Sequence, residues 1–291
     1  MRSACFPFAL FATCLAGCAG SAPLPAKAID LNRDGAAAIA QGDFETAEAR
    51  ISVALEYSPR FTEAWVNLGT IEMDRGNMEK ARHDFRRARD LNPDLPAPHH
   101  ALGLLAERQG HAEEAAKHYR DALKVDPGFA PARINLARTL FARGDLDGAR
   151  EQFLRTTEVA PGFADGWTGL CETLLRLGRE DDAEQTLSAA RARFGRSPAV
   201  ELLEARLLVR RGAYARAEER LAEIARRPDP GQASAALSWI AVARLGRGDA
   251  EAAAEAAERA IALNPTDGVA LYALRTAQSA AHPGSLQGKD R

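Results

Sequence analysis

The side chains best suited to chemistry in this sequence are its cysteines and histidines, and their spacing argues against most of what they could do. Cys5, Cys14 and Cys18 crowd the N-terminus, and Cys171 is the only cysteine in the body of the chain. That distribution gives neither a disulfide framework nor a zinc-type pattern, so Cys171 reads as a buried packing thiol. His99 and His100 are adjacent, so on a helix they diverge by about 100° and make a poor chelate. His111 and His118 could share a helix face, but no carboxylate–histidine cluster completes a site, and the histidines read as solvated surface side chains. No G-x-S-x-G, H-E-x-x-H, Walker or dinucleotide-binding glycine pattern is present. The expectation is therefore no catalytic residue, no metal ligands, no cofactor and no enzyme. With 38 basic and 40 acidic residues and a net charge of -2, nothing points to nucleic acid either.

One cysteine has a more specific context. Arg2 supplies a positive start, Phe6 to Leu15 is an apolar stretch too short to span a bilayer, and Leu15-Ala16-Gly17-Cys18 follows. This order resembles a bacterial lipoprotein signal and its lipobox. The resemblance implies cleavage after Gly17, diacylglycerol on the Cys18 thiol and acylation of its amine. Ala19, in place of the Asp associated with inner-membrane retention, implies the periplasmic face of the outer membrane. Residues 1–17 are thus expected to be a signal peptide and 18–27 the lipidated cysteine and a short tether. The nine residues after Cys18 reach at most about 30 Å.

The elements that position everything else announce themselves by period. Gly42, Gly76, Gly110, Gly144, Gly178 and Gly212 succeed one another every 34 residues, and Gly248 follows after 36. Ala47, Ala81, Ala115, Ala149, Ala183, Ala217 and Ala253 keep step five residues later. Each glycine falls where a first helix must end in the left-handed conformation, and each alanine where a second helix must approach closely. A third series, Gly35, Gly69, Gly103, Ala137, Cys171, Ala205 and Ala241, is small throughout. The sequence resembles the tetratricopeptide repeat, whose helix–turn–helix units stack into a solenoid. That implies an all-α fold, a right-handed superhelix of seven repeats plus a capping helix. The repeats fall at 28–61, 62–95, 96–129, 130–163, 164–197, 198–231 and 234–267, with the cap at 268–281 and a disordered tail at 282–291. Leu271 and Leu274 are expected on the buried face of the cap. The breaker cluster Arg226 to Gln232, which holds the two extra residues, is expected to change the angle of the superhelix or loosen that joint.

In tetratricopeptide arrays the first helices line a groove that takes a segment of a partner protein. By the family's groove positions, the peptide-binding residues here are Val66, Asn67, Thr70, His100, Leu104, Ile134, Asn135, Arg138, Phe141, Leu202, Arg206 and Trp239, with Thr168, Glu172 and Arg176 beside them. Amides suit a partner's backbone, guanidiniums its carboxylates and apolar groups its side chains, so an acidic segment is expected over Arg138 and Arg206. Lipobox, tether and repeats together resemble the pilotin lipoproteins of type IV and Tad pilus systems. The resemblance implies a lipid-anchored, periplasm-facing scaffold for an envelope complex of the pilus or secretin type. The partner's identity stays open; the alternatives are an adaptor for peptidoglycan hydrolases and a small-molecule-binding lipoprotein of the same fold.

Overall fold

A computed structural model describes residues 23–281. The expected signal peptide, the expected lipidation site Cys18, most of the expected tether and the expected tail at 282–291 lie outside the described residues. Fifteen helices make up the described chain, which contains no strand. Each repeat is a pair: α1 Ala26–Ala40 with α2 Phe44–Tyr57, α3 Thr62–Asp74 with α4 Met78–Leu91, and α5 Pro96–Arg108 with α6 Ala112–Val125. The next pairs are α7 Ala130–Ala142 with α8 Leu146–Val159, and α9 Ala164–Arg176 with α10 Glu180–Phe194. α11 Pro198–Arg210 with α12 Tyr214–Ala225 and α13 Pro230–Gly246 with α14 Ala250–Leu263 complete the set, and α15 Gly268–Ala281 closes it. None of these helices is long and apolar enough to cross a membrane.

The glycine ladder does what its period implied. All seven ladder glycines have φ between 72° and 85°, where a side chain would be strained. At Gly42 the following amide, Asp43 N–H, reaches back to Ala38 O at 3.0 Å while Gly42 N–H donates to Ile39 O at 2.9 Å. This pair of bonds satisfies the last carbonyls of the helix, and it recurs at Gly76 and Gly110. The ladder alanines are all 0% exposed. The small series is equally tight: a Cβ on Gly69 would lie 2.5 Å from Phe85 Cε1, and one on Gly103 2.4 Å from Tyr119 Cε1.

A further tie recurs at the fourth residue of successive repeats. Trp65 Nε1 donates to Pro59 O at 3.0 Å, Trp167 Nε1 to Pro161 O at 3.1 Å, His99 Nε2 to Pro93 O at 3.3 Å, and Arg133 to Pro127 O. Each side chain fastens its own first helix to the proline turn that precedes it. His99 therefore also serves as a structural donor while remaining partly exposed.

The described helices form two compact units, one ending at Leu91 and the other beginning at Asn92. The first unit is built on Ala28, Ile51, Phe61 and Ile71. The second has two apolar clusters that meet on α11, which gives Leu203 and Leu207 to one and Ala205 and Val209 to the other. Within each unit successive first helices pack on one another, α1 on α3 in the first and α7, α9, α11, α13 and α15 in series in the second. Second helices of successive repeats make no comparable contact among the described residues. First helices therefore occupy the inner row of each unit.

Two expectations are corrected here. α13 starts at Pro230, four residues before the expected Ser234, with Asp229 Oδ1 accepting from Gln232 N–H at 3.0 Å. A cap followed by proline starts a helix efficiently, and at 17 residues α13 is about one turn longer than the 13-residue α11. The joint is packed rather than loosened, with Ala233, Ser234 and Ala236 buried. In α15 the buried face is Ala270, Ala273 and Ala277, while Leu271 is 43% exposed. Alanines let this helix lie so close to α13 and α14 that the larger side chain is turned outward. Leu274 packs against the core as expected.

Candidate functional site: the first-helix face

The expected groove residues fall on two units. Val66, Asn67 and Thr70 lie half-buried on α3 in the first unit. Asn67 Nδ2 donates to Asn32 Oδ1 at 2.8 Å, and Thr70 Oγ1 donates to Val66 O at 2.9 Å. The other groove residues lie on α5, α7, α11 and α13 of the second unit.

Asn135 and His100 repeat the Asn67–Asn32 arrangement with the same separation of 35 residues, Asn135 Nδ2 lying 3.0 Å from His100 Nε2. The His100 ring packs edge-on to Phe129 at 5.5 Å and tilted against Tyr119 at 5.7 Å. Burial lowers its pKa to about 4, so the ring is neutral and Nε2 accepts from Asn135. It is a packed side chain, against the expectation of a solvated one. His118 is also largely buried, its pKa lowered by burial, with Glu114 3.7 Å from Nε2. The thiol of Cys171 is buried as expected, pushed up to about 12 by burial, and lies 3.6 Å from Ala183 O.

Ile134 does not belong to the groove. It is 4% exposed and part of the core beneath α7, so no partner can touch it in this conformation. Leu104, Phe141, Leu202 and Trp239 are half-buried, each leaning on a core cluster with one face left over.

The arginines are less available than their positions imply. Arg138 meets Asp165 at 3.1 Å, and Arg206 meets Glu172 at 3.1 Å while stacking on Trp239 at 4.7 Å from the ring centre. Arg210 pairs with Glu180 at 3.2 Å. Arg176 instead lies over the Phe141 ring at 5.0 Å, exposed, with no carboxylate partner among the described residues.

Between α7 and α9 these side chains surround a cavity of about 150 Å³. Phe141 and Phe153 are its apolar walls, and Arg138, Asp165, Thr168 and Glu172 its rim. Gly169 is what admits Phe153: a Cβ there would lie 2.3 Å from Phe153 Cε1. Sequence reasoning passed over both residues. The signal was Gly169 standing where the second and fourth repeats carry Asn67 and Asn135.

An inner row of first helices, each carrying half-exposed apolar and hydrogen-bonding groups, defines a helical-repeat binding solenoid. The particular class is the tetratricopeptide repeat. Models of that repeat match residues 61–128, 106–168, 165–189 and 202–268. Among solved structures, a tetratricopeptide repeat protein from Parabacteroides merdae is similar with TM-score 0.64 at 18% identity, covering 87% of this chain and 99% of that one. The pilF protein of Pseudomonas aeruginosa gives TM-score 0.58 at 20% identity over 75% of this chain and 96% of its own. PilW, a type IV pilus biogenesis factor, gives 0.55 at 19% identity over 86% and 99%. At these identities the likeness is one of fold. No curated protein matches the sequence.

Proposed function

We propose that this protein is a lipid-anchored scaffold at the periplasmic face of the outer membrane, holding a segment of a partner protein along its first helices while an envelope complex assembles. The observation that carries the reading is the order of parts: Leu15-Ala16-Gly17-Cys18, a tether of seven residues (19–25), and a repeat array whose first helix begins at Ala26. Several acyl chains hold such an anchor stably, since each buried CH₂ contributes about 0.8 kcal/mol. A pilus or secretin complex is the favoured setting, because two similar folds, PilW and pilF, span nearly their whole length on this chain.

The anchor is tested by labelling cells with a fatty-acid probe. The parent should incorporate label and Cys18→Ser should not; label retained in that variant would end the anchoring idea. The scaffold is tested by crosslinking in envelope fractions. A recurrent partner whose recovery depends on first-helix residues is expected, and recovery unchanged by substitutions across that face would refute it.

A further inference from the structure

We infer that the cavity between α7 and α9 is a socket for one uncharged apolar side chain of the partner, with a carboxylate of the same segment paired to Arg176. The inference rests on reading the first-helix face as a peptide groove and names what that groove selects. The cavity, about 150 Å³, is below the 300–1,000 Å³ of small-molecule sites, so it suits a single side chain. Its walls are the rings of Phe141 and Phe153. The rim carboxylates do not favour a basic occupant, because Asp165 is already met by Arg138 and Glu172 by Arg206. What remains on this wall is one exposed guanidinium, Arg176, whose Cζ lies over the Phe141 ring at 5.0 Å from its centre. A guanidinium attracted to a ring face still has N–H groups to offer, and a carboxylate can take two of them in parallel. The complementary segment therefore carries a branched or aromatic apolar residue with Asp or Glu within a few positions of it.

The test selects random dodecapeptides from a displayed library on the immobilised full-length chain in detergent. Selected peptides, fluorescently labelled, are then titrated by anisotropy. Three variants are compared with the parent: Thr168→Tyr, which plugs the cavity from its rim; Arg176→Glu; and Leu202→Ala, on the same face beyond the cavity. Selected peptides should share an apolar residue with a nearby acid, and Thr168→Tyr and Arg176→Glu should each weaken them at least tenfold. Replacing the peptide's acid by lysine should restore binding to Arg176→Glu, a rescue that misfolding cannot produce. If peptides bind Thr168→Tyr and Arg176→Glu as well as the parent but lose affinity for Leu202→Ala, the socket falls and the groove stands. If no peptide is selected, or none of the three variants matters, both readings fall.

Discussion

Arg206 and Glu172 occupy the same place in successive repeats, 34 residues apart, and their charged ends meet at 3.1 Å. The guanidinium is also stacked on Trp239, so one side chain ties three first helices together. Arg206→Ala should cost about 1.5–3 kcal/mol, the range for losing a hydrogen bond to a charged group, and lower the thermal midpoint. A midpoint within error of the parent would show that the ladder is decoration.

Gly103 sets the spacing of α5 and α6. Because a Cβ there would already overlap Tyr119 at 2.4 Å, Gly103→Leu should cost more than the ~1–3 kcal/mol usual for overpacking. Chemical denaturation reads this directly; a near-normal midpoint would mean that the two helices are not paired as described.

His100 makes stability depend on pH. Its folded pKa of about 4 lies below the ordinary value of about 6.5, so between those values the unfolded chain binds the extra proton. Its contribution is fully present above pH 6.5 and is lost as pH falls toward 4, up to about 3 kcal/mol in all. The loss of stability between pH 7 and pH 4.5 should be smaller in His100→Gln than in the parent. Equal losses would place the ring in water.

Cys171 should be inert in the folded chain. A thiol pushed up to about 12 and buried holds almost no thiolate at neutral pH. Mass spectrometry of its peptide after iodoacetamide treatment should show modification only in denaturant. Rapid labelling of the native protein would contradict the packing of α9.

The parts legible in the sequence were those with a local cause. A left-handed helix end needs Gly42 and its successors, and a close helix pair needs Ala47 and its successors, so the period gave the whole helical order. The site was harder because its determinants come from different helices. Arg138 and Arg206 looked like free cations since their partners, Asp165 and Glu172, lie 27 and 34 residues away, far outside the i,i+4 range that reads as pairing. Ile134 held a groove register yet sank into the core. The cavity depends on Phe153 reaching past Gly169, a contact that neither helix implies alone.

The cross-repeat pairs give the array an order that its period conceals. Asn32 with Asn67, His100 with Asn135 and Glu172 with Arg206 each join residues about one repeat apart, so at these three junctions a unit presents a face made for its particular successor. Removing residues 164–197 would leave the glycine rhythm intact, yet it would bring Arg138 beside Arg206 at the ninth place of adjoining units, cation against cation. The repeats share a shape but are not interchangeable, and their sequence along the chain is written in their side chains.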